Sequence, residues 1–353
     1  MSTSLSPYTL FSYLCYLLLC LTLSGCEKTV PEVEQNQQAA SQVEVTAPDL
    51  NQICEDLKKE MQDISAQRTT FALEQINQNI RVCLPLISHA EQKKLMALSN
   101  QMYAQFLKIE RTPEQQQAFE QYALDESQYP TIQQSRFEKL HIRDQYLLRH
   151  KGQAYIELDT NNPNHMHYKR NSQYLARVFA PYFPEAEKVF IQTLANQNEH
   201  SLIQEQHLSI SSDEIAQRAL SWEAYLKTYP KSPYRADAQY LLDVYRSLLF
   251  LGLKERPVSI QYDGPTDLPA STLTTLEQLS HDKDTDLAVQ ARQFLNFVNL
   301  SAEEKAELFP SSPQASAQTL LMRMLNLKLY DAHLKDNRNC FQDAICSTSS
   351  STP

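Results

Sequence analysis

Only four glycines occur in the 353 residues, Gly25, Gly152, Gly252 and Gly264, and their scarcity constrains the fold more than any other feature. Glycine usually makes up roughly 7% of a chain. Tight hairpins, bulges and phosphate-cradling loops draw on it because it enters positive φ without steric cost. A chain this poor in glycine is expected to be all-α, a multi-helical array with little place for sheets or nucleotide-binding loops. The acidic balance, a net charge of −10, argues against nucleic acid as a partner, since that affinity rests on Lys and Arg neutralising phosphates.

Apolar spacing and cap residues predict helices over 51–66, 70–83, 89–108, 113–127, 131–151, 168–182, 184–197, 212–229, 233–251, 271–281, 284–299, 302–309 and 313–335. Ile53, Leu57, Met61 and Ile64 lay down the first apolar stripe. Ser88 with Glu91, Ser211 with Glu214 and Ser301 with Glu304 have capping-box spacing, and Pro113 and Pro233 suit first helical positions. Only "QAYIELD", 153–159, alternates like a strand, and one short strand makes no sheet. The segment 253–270 reads as a loop between a helical domain at 50–252 and C-terminal helices at 271–337, with a Cys-containing tail at 338–353.

The apolar run from Leu10 to Leu23 suits the core of an export signal better than the roughly 20 residues of a spanning helix. An uncleaved helix and a secreted soluble form are the alternatives. Leu23, Ser24, Gly25 and Cys26, placed at the end of that run, resemble the lipobox of bacterial lipoproteins. The resemblance implies that residues 1–25 are a signal peptide, that Cys26 becomes the lipidated first residue, and that the membrane is a partner through the anchor. Several acyl chains, at about 0.8 kcal/mol per buried CH₂, hold effectively permanently. Glu27, where the family's inner-membrane retention residue would be Asp, points to the outer membrane facing the periplasm. Residues 26–49, rich in Gln, Glu and Pro, read as a flexible tether.

Of seven cysteines, Cys15 and Cys20 would leave with the signal and Cys26 would carry lipid. Cys54, Cys83, Cys340 and Cys346 remain, with three pairings open. Cys54 and Cys83 are equidistant from the "SAQRTT" break, so an antiparallel helical hairpin would set them side by side. Cys54–Cys83 with Cys340–Cys346 is therefore the expected pairing in an oxidising compartment, free thiols being the alternative.

Residues 214–252, "EIAQRALSWEAYLKTYPKSPYRADAQYLLDVYRSLLFLG", resemble the junction of two tetratricopeptide-type repeats. The resemblance implies a helix pair with Ala236 and Ala238 at the close approach, within a partly solenoid-like array that binds other proteins. Basic residues and histidines concentrate over 141–170, and Arg143, Arg149, His150, His165, His167, Lys169 and Arg170 form a candidate anion or partner site, the alternative being a solvated face. His165 and His167, with Asp159 or His150, are a weak metal-like pattern. No hydrolase motif and no cofactor motif occurs. Tyr168, Tyr174, Tyr182, Tyr225, Tyr229, Tyr234, Tyr240 and Tyr245 are expected in the core, or else lining a groove. The expected function is an interaction or scaffold lipoprotein with an envelope protein partner. The alternatives are a wall-acting enzyme or inhibitor, or an anion- or solute-binding lipoprotein.

Overall fold

In a computed structural model, residues 50–128, 134–160, 166–204, 206–310 and 315–348 are described. The signal segment, Cys26, the tether to residue 49, His165 and residues 349–353 lie outside the described residues.

Helix α1 (Leu50–Gln62) and helix α2 (Thr70–Cys83) form the expected hairpin. Its seam is Cys54, Leu57, Met61 and Ile64 against Leu73, Ile76, Ile80 and Cys83, all buried. Cys54 and Cys83 are disulfide-bonded with Cα atoms 5.5 Å apart, which cross-links the open end of the hairpin. The Thr69 hydroxyl accepts from the Ala72 amide and starts α2. Helix α3 (His89–Phe106) packs on α1. At its start the Ser88 hydroxyl accepts from the Glu91 amide, but the Glu91 carboxylate pairs with Lys94 at 2.8 Å, so the reciprocal half of the capping box is not made. Helix α4 (Pro113–Gln128) does carry a full box, built by Thr112 and Gln115 around Pro113.

Two long helices expected from the sequence are broken. In place of 131–151 the chain forms α5 (Gln134–Phe137) and α6 (Ile142–Arg149), because His141 caps α6 by accepting the Arg143 amide on its Nδ1. In place of the start of 168–182, β1 (Ile156–Asp159) pairs antiparallel with β2 (His167–Arg170), Asp159 opposite His167. The lone strand thus finds its partner in residues read as helix, where Tyr168 and Arg170 alternate inward as a strand requires. Helix α7 (Gln173–Val178) follows, then α8 (Glu185–Gln197), and β3 (Ile203–Gln204) pairs with β4 (His207–Leu208).

Helix α9 (Ser212–Thr228) and helix α10 (Arg235–Phe250) make the most extensive helix pair. Fully buried Trp222 of α9 packs on Phe190 of α8 and donates its indole N–H to Gln197 at 2.9 Å. Ala238 of α10 is buried, whereas Ala236 is exposed. The next hairpin, β5 (Gly252–Leu253) and β6 (Arg256–Pro257), needs its glycine. Gly252 has φ +75°, and a Cβ there would lie 2.6 Å from the Arg256 carbonyl oxygen. Helices α11 (Ala270–Ser280) and α12 (Asp286–Val298) pack on each other and both on α9. Helix α13 (Ala302–Leu308) opens with the complete Ser301–Glu304 capping box. The expected 313–335 helix is interrupted between α14 (Ala317–Met324) and α15 (Tyr330–Leu334). Last, β7 (Arg338–Asn339) pairs with β8 (Ser347–Thr348) around the Cys340–Cys346 disulfide, whose Cα atoms are 4.1 Å apart. The fold is mostly helical, with these four short hairpins as its only sheets among the described residues, and residues 48–353 cluster as one unit. Among the described residues no helix is long and apolar enough to cross a membrane.

Candidate functional site

Among the described residues, the candidate cations and histidines between 141 and 170 are divided over several separate contacts. Lys169 lies 3.4 Å from both the Glu157 and the Asp159 carboxylates, and Arg170 is buried with its Nη2 2.5 Å from the Asp343 carboxylate. Arg170 also stacks over Tyr174 and Tyr103, at 4.6 and 5.3 Å to the ring centroids. These two cations fasten the β1–β2 hairpin and the C-terminal disulfide loop. Arg149 lies over Phe137 at 4.8 Å, and the His150 ring stacks on Tyr146 at 4.2 Å. With its Nδ1 2.7 Å from the Tyr146 carbonyl oxygen, His150 is assigned as the donor there. His167 pairs in register with Asp159, and its expected companion His165 lies outside the described residues. Among the described residues no group of three or more His, Cys, Asp and Glu side chains could hold a metal ion.

Arg143 is the exception, because it sits in the wall of a groove of about 930 Å³. The turn at 64–69 after α1, the chain leaving α3 at Lys108–Glu110 and the first turn of α6 form its sides. Arg143 joins all three: its Nη1 donates to the Arg68 carbonyl at 2.8 Å and its Nη2 to the Phe106 carbonyl at 3.1 Å. The second bond satisfies a carbonyl at the C-terminus of α3, where a cation also complements the helix dipole. The guanidinium lies over Phe106 at 4.4 Å, and burial draws its pKa below the ordinary value against the opposing influence of Tyr146 and Tyr168. Two of its nitrogens are therefore engaged by backbone, which makes Arg143 a brace of the groove.

The frame behind the groove is tied by a buried ion pair. Asp144, with a fully buried side chain, accepts two bonds from Arg111, at 2.8 Å from Nε and 2.6 Å from Nη2. Arg111 in turn lies 4.0 Å over the Phe119 ring of α4. Next to Asp144, Ile142 is 71% exposed at the groove, and Arg68 and Lys108 lie on the rim. An apolar side chain held out by a fixed backbone, with cations beside it, is suited to contact with another molecule.

The sequence reading missed a serine–histidine pair in a second, polar cavity of about 370 Å³. Ser247 Oγ of α10 lies 2.9 Å from His333 Nε2 of α15. The serine hydroxyl donates to the Asp243 carbonyl at 2.8 Å, so the histidine donates to the serine. In that assignment the histidine is the donor, and the pair ties α15 to α10. The tyrosines are core residues: Tyr168, Tyr174, Tyr225, Tyr240 and Tyr245 are buried, and Tyr182, Tyr229 and Tyr234 are partly buried against them. Comparison of this chain with protein families, with curated proteins and with solved structures finds no match.

Proposed function

We propose that the chain is an envelope lipoprotein, anchored through Cys26, whose helical body captures a protein partner in the groove at the start of α6. The observation that carries this reading is the exposure of Ile142 on a backbone fixed by the Arg111–Asp144 pair. Aliphatic contact in a preformed groove gives affinity, and the cationic rim at Arg68 and Lys108 favours a partner segment with an apolar anchor and acidic flanks. The tetratricopeptide-like helix pair at 214–252 agrees with a role in binding proteins. The groove lies beyond the C-terminal end of α1, about 20 Å along that 13-residue helix from Leu50.

The test is affinity capture with full-length protein in detergent, comparing Ile142→Asp with Val289→Asp. Val289 is an exposed aliphatic residue of α12, so it controls for the loss of any surface apolar group. The reading expects one partner lost only with Ile142→Asp; a partner retained by that variant contradicts it. The anchor is tested separately by palmitate labelling, which Cys26→Ala should abolish.

A further inference from the structure

A third cavity, of about 650 Å³, lies between α2, the turn at 151–157 and the chain from Asn171 to Arg177, and it shares no lining residue with the groove. Its size is in the range of small-molecule sites. Three features single it out. One wall carries two successive non-glycine residues in left-handed conformation, Ala154 at φ +48° and Tyr155 at φ +60°. That conformation is unfavourable for residues with a Cβ, and such residues cluster at ligand sites. Tyr103 donates to the Ala154 carbonyl at 2.7 Å and the Glu74 carboxylate accepts from the Ala154 amide at 3.1 Å, so the strained turn is clamped from two sides. Behind it, Asn77 is 3% exposed and its Oδ1 has no hydrogen-bond partner among the described residues.

The charges lining this cavity are divided between structure and opening. Glu74 is engaged by the turn, and Glu157 accepts from Asn171 and pairs with Lys169 at 3.4 Å. Arg81 is oriented by one bond, from its Nη2 to the Tyr155 hydroxyl at 2.8 Å, which leaves the rest of its fork unengaged among the described residues. Arg177 and Glu199, both exposed, make no ion pair among the described residues although both line this cavity. An oriented guanidinium and a second one nearby fit a carboxylate, and a carboxylate side chain in the same cavity fits an ammonium group.

We infer that this cavity binds a small zwitterion, a short peptide of two or three residues with free termini, its carboxylate held by Arg81 and Arg177 and its amine by Glu199. The site is independent of the groove, so failure of either leaves the other standing. Calorimetry with the full-length protein in detergent uses trialanine, its C-terminal amide and its N-acetyl form as probes. Free trialanine is expected to bind, and capping either end to weaken binding about tenfold or more, the scale of a lost charge-assisted bond. Because Arg177 and Glu199 are exposed, Arg177→Gln and Glu199→Gln should melt like the parent protein. Arg177→Gln should lose much of the discrimination against the amide, and Glu199→Gln that against the acetylated peptide. No binding at about 1 mM trialanine, equal binding of capped and free forms, or full discrimination in both variants overturns the assignment.

Discussion

Removing the acceptor of the buried pair that fixes α6 should unfold this protein more readily than almost any surface change. In Asp144→Ala the Arg111 guanidinium, whose side chain is only 10% exposed, loses both charge-assisted bonds, at 2.8 and 2.6 Å. Breaking a buried pair from one side costs about 3–5 kcal/mol, because a desolvated charge is left behind. Arg111→Met should cost a similar amount, since the Asp144 side chain is fully buried and would lose its counter-charge. Replacing both, as Arg111→Met with Asp144→Leu, takes away charge and partner together, so the double variant should lose less than either single one. Urea denaturation followed by far-ultraviolet circular dichroism gives the three free energies. A loss below about 1 kcal/mol in Asp144→Ala, or additive losses in the double variant, would refute the argument that this pair holds the frame of the groove.

Other consequences are narrower. Cys54–Cys83 spans 29 residues and Cys340–Cys346 spans 6, so the chain-entropy relation gives about 3.6 and about 2.2 kcal/mol. Cys54→Ala with Cys83→Ala should therefore lower the urea midpoint more than the matching pair at the C-terminus. Both Gly252 and Gly152 have positive φ, but only at Gly252 would a Cβ strike backbone, so Gly252→Ala should be the more destabilising of the two alanine variants by calorimetry. Burial holds the His333 imidazole pKa below its ordinary 6.5, against the opposing pull of Asp243 and Asp336. The unfolded chain then takes the proton first: the stability present above the unfolded-state pKa is lost as pH falls through the folded one. His333→Gln should flatten the rise in stability from about pH 5 to 7, and an unchanged slope would contradict this.

The helical class and several helix limits were legible because local chemistry fixes them. Helix α2 begins after Thr69 and ends at Cys83 as its cap and spacing require, and the Cys54–Cys83 bridge follows from two helices of matched length. What misled was taking few glycines to leave little place for hairpins. Ala154, Tyr155, Gln206, Tyr262, Asn326 and Asn337 all take positive φ without being glycine. Asn326 closes α14 in a Schellman motif: the Leu327 amide donates to the Met322 carbonyl at 2.8 Å and the Asn326 amide to that of Arg323 at 3.3 Å. An asparagine there was the signal that 313–335 is not one helix. The basic cluster was illegible for a different reason. The partner of Arg170 is Asp343, 173 residues away, and that of Ser247 is His333, 86 residues away. Composition along the chain shows charges gathering, but only the tertiary fold shows which are already paired.

Photocrosslinking in living cells decides whether the proposed groove at α6 is where this protein meets a partner. A photoreactive phenylalanine analogue is placed at Ile142 in one strain and at Val289 in another, both being exposed positions. One discrete adduct is expected from Ile142, absent from Val289 and lost when Arg68→Glu and Lys108→Glu are introduced together. No adduct at Ile142, or the same adducts from both positions, would contradict it.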